Sequence, residues 1–353
     1  MLVGGLTGGL LWPEMLTFAQ LSDPHLSCPA PVRAGDLLGK RALGYLSWRL
    51  VRRRRHRPEV LAALVQDLRA AQVDHVVVTG DLTHLGLPHE FAQARRWLDA
   101  LGPAPTLSVV PGNHDAYAGN GWEQTIRAWA PFFDSDPGAG GASAFPSVRV
   151  RGPVVFVGLC TARPSAPLLA VGEVGSPQLD ALARVLADAR RRGLVRVVLL
   201  HHPPLAGGTD WRKRLVDGAR LRAVLEAEGV ELVLHGHTHR ASIGSLATSA
   251  GAAAVVGVSS ASASGPGPER LARYHLYRLE QDGERCQIWL STRIYEPVTG
   301  CFVPDGAARP LLTPADALSR SGETATPSPP APRGPAPARS RPGSGSAEDP
   351  AGR

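Results

Sequence analysis

The sequence predicts an α/β fold in which two β-sheets lie between two layers of helices, an α/β/β/α sandwich. Three observations predict it: short apolar runs recur along the chain, amphipathic segments separate them, and polar residues stand where the runs end. Apolar runs of this length are typical of buried strands. The five runs cover residues 18–22, 76–79, 107–111, 197–200 and 232–235.

The segments between these runs have apolar residues at helical spacing. They cover residues 58–70, 90–101, 178–189 and 219–228. Strands joined through helices pair in parallel by right-handed crossovers, and such sheets bind ligands beyond the carboxyl ends of their strands. Residues 154–159 predict a further strand, and residues 274–279 and 286–292 predict an antiparallel pair. We therefore expect the polar residues after the five runs at one rim of one sheet.

Composition divides the chain into one large domain and two flanking segments. Its 353 residues, 43% of them hydrophobic, are enough for a single large core. We expect a domain over residues 15–305, with residues 33–57 as an insertion. Residues 1–14 are apolar and Gly-rich, lack the charged region of a secretory signal, and are predicted to be a poorly ordered extension. Residues 306–353 are rich in Pro, Ala and Arg and are predicted to be a disordered tail.

Cysteine usage and hydropathy indicate the compartment. Cys28, Cys160, Cys286 and Cys301 are widely spaced, so neither a disulfide framework nor a zinc ribbon is indicated. No apolar run is long enough to span a bilayer. We expect a cytoplasmic protein, either soluble or peripheral to the inner face of the membrane.

Five short motifs stand at the ends of the five predicted strands and carry the residue types of a two-metal centre. They are Asp23-Pro24-His25, Gly80-Asp81, Gly112-Asn113-His114-Asp115, His201-His202 and Gly236-His237-Thr238-His239. Two divalent ions about 3.5–4 Å apart can clamp the attacking and leaving oxygens of a displacement at phosphorus, and they need a bridging group. A carboxylate has two oxygens and a negative charge, so Asp81 is the natural bridge.

The donor types narrow the choice of metal and suggest separate roles. Imidazole suits zinc, iron and manganese, and the oxygens of Asp and Asn suit manganese, magnesium and iron, so the mixed set favours Mn, Fe or Zn. Asn113 is a neutral, weak ligand, and its neighbour His114 is then directed at the substrate as an acid or a charge stabiliser. Each motif alone also occurs as an N-cap or a turn. The five together, in this order, favour a metal centre.

These residues resemble the signature of the calcineurin-like metallophosphoesterase superfamily, and their order most resembles its class III cyclic-nucleotide phosphodiesterase branch. The resemblance covers roughly residues 16–304 and implies a four-layer sandwich with a dinuclear metal site at the carboxyl ends of the strands. It implies one ion on Asp23, His25, Asp81 and His239, and a second on Asp81, Asn113, His201 and His237. His114 would be the catalytic histidine. Asp115 would orient its neighbours, and His202 would line the pocket.

The insertion at residues 33–57 is strongly basic. It holds nine basic residues and one acidic residue, more positive charge than the net +7 of the whole chain. Aromatic and apolar residues alternate with this charge, so a helix here would carry two stripes. One stripe is Arg41, Tyr45, Trp48 and Arg52, and the other is Leu43, Leu46 and Leu50.

Trp, Tyr and Arg together favour a membrane interface or a lipid-bearing substrate. The residues expected to make that contact are Arg41, Tyr45, Trp48, Arg52, Arg53, Arg54 and Arg55. The alternative is that the leucines and Trp48 pack onto the domain while the arginines form a solvated face. A single short cluster disfavours binding to nucleic acid.

The sequence thus predicts a metal-dependent phosphoric ester hydrolase. It would cleave a phosphodiester, a cyclic nucleotide being one candidate, through a metal-bound hydroxide. A second hypothesis is a lipid or nucleotide-lipid pyrophosphate hydrolase of the UDP-diacylglucosamine type, acting at the membrane surface. A non-catalytic metal-bound scaffold is disfavoured because every ligand position and His114 are filled.

Overall fold

Two mixed β-sheets form the centre of this computed structural model, which describes residues 15–26, 32–37, 39–117, 122–139, 143–265, 267–282 and 285–311. The strands of the first sheet are β1 (Met15–Leu21), β2 (His75–Val78), β3 (Leu107–Val109), β10 (Arg273–Asp282), β11 (Arg285–Glu296), β12 (Cys301–Pro304) and β13 (Arg309–Pro310). β1, β2 and β3 are parallel neighbours, and β10 pairs antiparallel with both β1 and β11. The antiparallel pair predicted near the C-terminus is confirmed.

The second sheet has a parallel centre and two antiparallel edges. Its strands are β4 (Ser147–Arg151), β5 (Val154–Gly158), β6 (Val195–Leu199), β7 (Leu232–His235), β8 (Ser242–Thr248) and β9 (Gly251–Gly257). β5, β6, β7 and β9 run parallel, with β4 and β8 at the edges. The prediction that the polar residues after all five runs lie at one rim of one sheet is wrong. The β4–β5 hairpin starts a second sheet and does not extend the first sheet beyond β3. Three motif-bearing strands lie in the first sheet and two in the second.

Helices connect the parallel strands as predicted, except that β8 joins β7 to β9, and one further helix joins β3 of the first sheet to β4 of the second. The main ones are α3 (Pro58–Ala71), α4 (Pro88–Leu101), α5 (Trp122–Phe133), α6 (Ser176–Arg191) and α7 (Gly218–Glu228). Pro58 and Pro88 occupy the first helical turn, where a missing N–H costs nothing. None of the helices within the described ranges is both long and apolar enough to cross a bilayer.

Alternating side chains of β5 show how the layers pack. Phe156 belongs to a core shared with the first sheet, and its ring meets that of Phe18 edge to face at 5.1 Å between centroids. Val155 and Val157 instead share a core with Leu182 of α6 and Leu221 of α7. One face of the second sheet therefore meets the first sheet and the other meets helices, which confirms the α/β/β/α sandwich.

The C-terminal part of the described chain adds to the first sheet. β13 pairs with β11, and Leu311 is buried behind it. Residues 309–311 thus pair with β11, although the predicted tail began at residue 306. Composition alone does not reveal these hydrogen bonds. The rest of that tail and the predicted extension at residues 1–14 lie outside the described residues.

The basic insertion folds as a helical segment. It comprises α1 (Lys40–Ser47), a π-helical turn at Trp48–Arg52 and α2 (Arg53–Arg55). Lys40 Nζ donates to the carbonyl oxygen of Leu169 at 2.9 Å, and Arg41 Nη2 donates to that of Gly86 at 2.9 Å. These bonds fix α1 against two loops at the carboxyl ends of the strands.

Candidate active site

The backbone at the predicted ligand positions adopts a conformation that L-residues rarely adopt. Seven non-glycine residues in the described ranges have positive φ, and five of them are predicted ligands, with φ between 39° and 69°. These five are Asp23, His25, Asp81, His237 and His239. Such a conformation costs roughly 1–3 kcal/mol per residue and persists only where the surroundings impose it. The strain indicates a functional constraint at these positions.

The first group of ligand atoms comes from the ends of β1, β2 and β7. One atom from each of Asp23, His25, Asp81 and His239 lies within 4.8 Å of the others. His25 Nε2 is 3.2 Å from His239 Nε2 and 3.8 Å from a carboxylate oxygen of both Asp23 and Asp81. Because His25 Nδ1 donates to the carbonyl oxygen of Thr83, Nε2 is the nitrogen that faces the group.

The second group adds the ends of β3 and β6. His201 Nε2 lies 3.3 Å from both Asp81 Oδ2 and Asn113 Oδ1, and 3.2 Å from His237 Nδ1. The other ring nitrogens of the two histidines face backbone carbonyls, His201 Nδ1 that of Thr79 and His237 Nε2 that of Lys213. A carbonyl can only accept, so in the neutral form of each imidazole the proton lies on the outer nitrogen and the ligand nitrogen keeps its lone pair for a cation.

The two groups together fit a pair of divalent cations. Asp81 belongs to both groups, as a bridging ligand would. Asp23 Oδ1 is buried and receives no well-directed hydrogen bond, although His239 Nε2 lies 3.1 Å away. Burial alone would lower the pKa of His201, yet the neighbouring charge of Asp81 raises it to about 9. The centre therefore favours positive charge where the ligand atoms converge.

Close backbone packing holds the loops that carry the ligands. The Asp115 carboxylate accepts hydrogen bonds from the backbone N–H groups of Gly112, Asp81 and Thr83 at 2.8–2.9 Å. A Cβ at Gly112 would lie 2.2 Å from Asp81 Oδ1, so a side chain there would displace the proposed bridge. The Asp115 carboxylate thus joins the loops that carry Gly112 and Asp81.

His202 lies beside the centre with its ring turned away. Its Nδ1 lies 2.8 Å from Thr161 Oγ1, and its Nε2 donates to the carbonyl oxygen of Ala170 at 3.2 Å. Neither nitrogen joins the ligand groups, whereas His201 belongs to the second of them.

His114 stands next to the ligands with one ring nitrogen directed at the cavity. Its Nδ1 donates to the carbonyl oxygen of His84 at 2.7 Å, and its backbone N–H donates to Asp81 Oδ1 at 2.8 Å. Nε2 accepts from Arg52 Nη1 at 2.8 Å. Burial and the charge of Arg52 lower the pKa of His114 well below its usual value, so the imidazole is neutral.

Two further histidines and Arg52 reach the site without having been assigned to it. His56 Nδ1 lies 2.7 Å from Ser262 Oγ, and its ring lies 4.7 Å from that of His25. The ring of His84 stacks on His25 at 5.1 Å. Arg52 and His56 are four residues apart, a spacing that places both on one helix face and could have linked them.

The two predicted stripes of the insertion have opposite orientations. Arg41 and Arg52 are directed inward, and the rings of Tyr45 and Trp48 stack at 5.7 Å and are half-buried. The leucine stripe is instead exposed, with Leu43, Leu46 and Leu50 at 52%, 54% and 62%. Arg53, Arg54 and Arg55 are exposed as well. The leucines therefore do not pack onto the domain.

A cavity of about 510 Å³ opens over the ligand groups. Its wall includes Asp81, Asn113, four histidines of the site and one further acidic residue, Glu269. Five basic residues complete the charged part of the wall: Arg52, Arg55, Lys213, Arg240 and Arg270. A second cavity of about 230 Å³ shares Arg52, Asn113, His114 and Lys213 with the first. The cationic wall suits an anionic ligand, and the volume suits a small molecule.

Comparison with known proteins decides the family. The sequence profile of the calcineurin-like phosphoesterases matches residues 16–241. The chain belongs to the calcineurin-like phosphoesterase family. It is accordingly a metal-dependent phosphoester hydrolase of two-sheet α/β architecture, and the resemblance to the class III phosphodiesterase branch is confirmed.

Curated relatives of this phosphoesterase carry phosphodiesterase names. A probable cyclic nucleotide phosphodiesterase of Synechococcus is 28% identical over 65% of this chain and 82% of its own length. A probable cyclic nucleotide phosphodiesterase of Rhodococcus erythropolis is 29% identical over 51% of this chain and 56% of its own length. The glycerophosphodiester phosphodiesterase GpdQ of Enterobacter lignolyticus is 30% identical over 47% of this chain and 56% of its own length. The chain thus spans most of the first relative and about half the length of the other two.

Solved structures share the fold at low sequence identity. A dimetal phosphatase from Danio rerio superposes with a TM-score of 0.51 at 15% identity, over 79% of this chain and 95% of its own. A purple acid phosphatase from yellow lupin gives a TM-score of 0.52 at 12% identity, over 83% of this chain and 54% of its own. At these identities the likeness concerns the fold alone.

Proposed function

We propose that this phosphoesterase hydrolyses phosphodiesters at the centre described above. The observation that carries the proposal is that two groups of ligand atoms share Asp81 beneath a cationic cavity, with His114 at their edge. The proposed ligands are Asp23, His25, Asp81, Asn113, His201, His237 and His239. Mixed imidazole, carboxylate and amide donors favour Mn, Fe or Zn.

The side chains of the centre have separate roles in this proposal. Two bound divalent ions would polarise the phosphoryl oxygens and activate a water for attack. Asp81 would hold both ions, and the carbonyl-bonded histidines keep their ligand nitrogens directed inward. His114, held by the carbonyl oxygen of His84, directs Nε2 at the cavity. The negative charge of a bound phosphodiester would favour uptake of a proton from solvent at Nε2, and that proton would pass to the leaving oxygen.

The shape of the site favours a diester over a monoester. The cavities of about 510 and 230 Å³ meet at Asn113 and His114, beside the ligand groups. A phosphate placed there could extend one substituent into each cavity, whereas a monoester would leave one cavity unused. The names of the curated relatives support the same preference.

The substrate preference can be measured directly. With Mn²⁺ present we expect faster hydrolysis of bis(p-nitrophenyl) phosphate than of p-nitrophenyl phosphate, and no hydrolysis of either in excess EDTA. Cyclic nucleotides, glycerophosphodiesters and lipid-linked nucleotides compared on the same preparation would then narrow the substrate. Faster monoester hydrolysis, or activity that survives EDTA, would contradict the proposal.

A lipid-bearing ester at the membrane surface is the second candidate, favoured by the exposed leucine stripe. Leu43 belongs to this stripe and also lines the smaller cavity, together with Leu168, which is 78% exposed. Arg49, Arg53 and Arg54 are exposed on the same helical segment. Apolar side chains flanked by arginines are the composition of an interfacial helix on anionic lipid.

We expect the wild-type protein to sediment with anionic liposomes at low salt and to be released as salt rises. Each arginine near such a surface contributes about 1 kcal/mol, so changing Arg49, Arg53 and Arg54 together to Ser should weaken binding by roughly 100-fold. Hydrolysis of bis(p-nitrophenyl) phosphate should be unchanged, because none of the three belongs to the ligand groups.

The matched control is the same triple change at the exposed end of α6, Arg190, Arg191 and Arg192 to Ser. It removes equal charge far from the insertion in sequence and should leave liposome binding intact. Equal loss in both triple variants would mean that only net charge matters. Absence of binding by the wild type would refute the interfacial role.

A further inference from the structure

We propose that Arg52 of the insertion binds the phosphoryl group of the substrate, giving up its present contact with His114 to do so. This role rests on the proposed phosphodiesterase activity. The insertion would then be part of the active site and not only a peripheral element. No motif of the metal centre includes Arg52.

The contact between Arg52 and His114 places the guanidinium where a substrate oxygen would enter. Arg52 Nη1 lies 2.8 Å from His114 Nε2, the ring nitrogen that faces the cavity. A guanidinium has only donors, and His114 Nδ1 already donates to the carbonyl oxygen of His84, so Nε2 must be the acceptor. Arg52 therefore covers the atom of His114 that the reaction uses.

A phosphoryl oxygen is a stronger acceptor for Arg52 than a neutral imidazole. Hydrogen bonds between ionised partners are shorter and about twice as strong, and a guanidinium can bind two phosphate oxygens at once. When a phosphate enters, Arg52 is expected to transfer its hydrogen bonds to it. Nε2 of His114 is then left to face the leaving oxygen.

The location of Arg52 supports this transfer. Arg52 lines both cavities, which meet at Asn113 and His114. Its own carbonyl oxygen accepts from the backbone N–H of His56, and Arg57 N–H donates to the carbonyl oxygen of Ser262. The backbone at this end of the insertion is thus tied to the loop that follows β9, so only the guanidinium has to move.

Adjacent Arg53 provides a matched control. Arg52 and Arg53 carry the same charge on consecutive residues, yet Arg53 is exposed and absent from both cavities. A nonspecific effect of positive charge would be similar for the two residues. A direct contact with phosphate belongs to Arg52 alone.

The test compares Arg52→Ala, Arg52→Lys and Arg53→Ala in Mn²⁺-loaded protein. For Arg52→Ala we expect kcat/KM on bis(p-nitrophenyl) phosphate to fall by about 10²-fold, the usual loss for one positioned donor to developing charge. The inhibition constant of inorganic phosphate should rise at least ~10-fold, the size of one lost charged contact. The values for Arg52→Lys should lie between those of the wild type and Arg52→Ala. Arg53→Ala should match the wild type, because this soluble substrate makes no use of the proposed lipid contact of Arg53. Bound metal and the thermal midpoint should not change in any variant.

Unchanged kcat/KM and phosphate inhibition in Arg52→Ala would overturn the proposal, and so would equal losses in Arg53→Ala. Loss of metal or of folding in both Arg52 variants would show a structural role instead, and this also overturns it. If the wild type hydrolyses no diester, the proposed function fails, but phosphate binding measured by calorimetry still tests Arg52. Weaker phosphate binding by Arg52→Ala alone would then support the contact independently.

Discussion

Replacing Asp81 with Asn is expected to abolish hydrolysis of bis(p-nitrophenyl) phosphate and to lower the metal content below two ions per chain. Asp81 belongs to both groups of ligand atoms, so the change removes the one negative charge that the two proposed ion positions share. Two cations would then repel each other across a short gap with less charge between them. The loss of metal affinity should exceed the roughly 10- to 100-fold typical of residues behind the ligands.

Elemental analysis and turnover of the same preparation measure both effects. Asp180→Asn on the exposed face of α6 is the control, since it makes the same chemical change far from the centre in the sequence. Two tightly bound ions and near-normal turnover in Asp81→Asn would refute the bridging role.

Replacing His114 with Ala should slow turnover by about 10²- to 10⁴-fold, the usual contribution of a positioned acid or base. Bound metal should remain at two ions per chain, because the His114 ring nitrogens contact His84 and Arg52 and belong to neither ligand group. Imidazole added to the assay should restore part of the lost rate by occupying the space of the missing ring.

The measurement is kcat in the variant with and without imidazole, alongside metal analysis. His202→Ala is an informative comparison, since His202 is buried near the centre but turned toward Thr161 and Ala170. Loss of metal in His114→Ala would identify His114 as a ligand and contradict its assigned role.

The convergence of the proposed ligand residues could be predicted because each follows a strand whose apolar run is visible in the sequence. Asp23, Asp81 and His237 have meaning only as polar groups at the ends of buried strands, and parallel strands bring such ends together. The division between two sheets could not be predicted in the same way. A buried strand such as β6 has the same composition in either sheet, and its partner is chosen by contacts distant in sequence.

The insertion shows a second limit of prediction from sequence. Its two helical stripes were visible, but both contain large apolar or aromatic residues, so hydropathy alone did not decide which stripe faces the protein. Charged residues are mostly exposed, which made Arg52 resemble its neighbours Arg53 and Arg54. His56 is buried through contacts with Ser262, a residue beyond β9 that no local pattern connects with it.

The proposed two-metal phosphodiesterase activity is tested most directly by titrating Mn²⁺ into metal-free protein. At each step the bound ions are counted and the turnover of bis(p-nitrophenyl) phosphate is measured. The shared ligand Asp81 and the two groups of ligand atoms predict that turnover rises with the second bound ion and stops rising at two per chain. Full turnover with one bound ion, or no turnover with two, would contradict it.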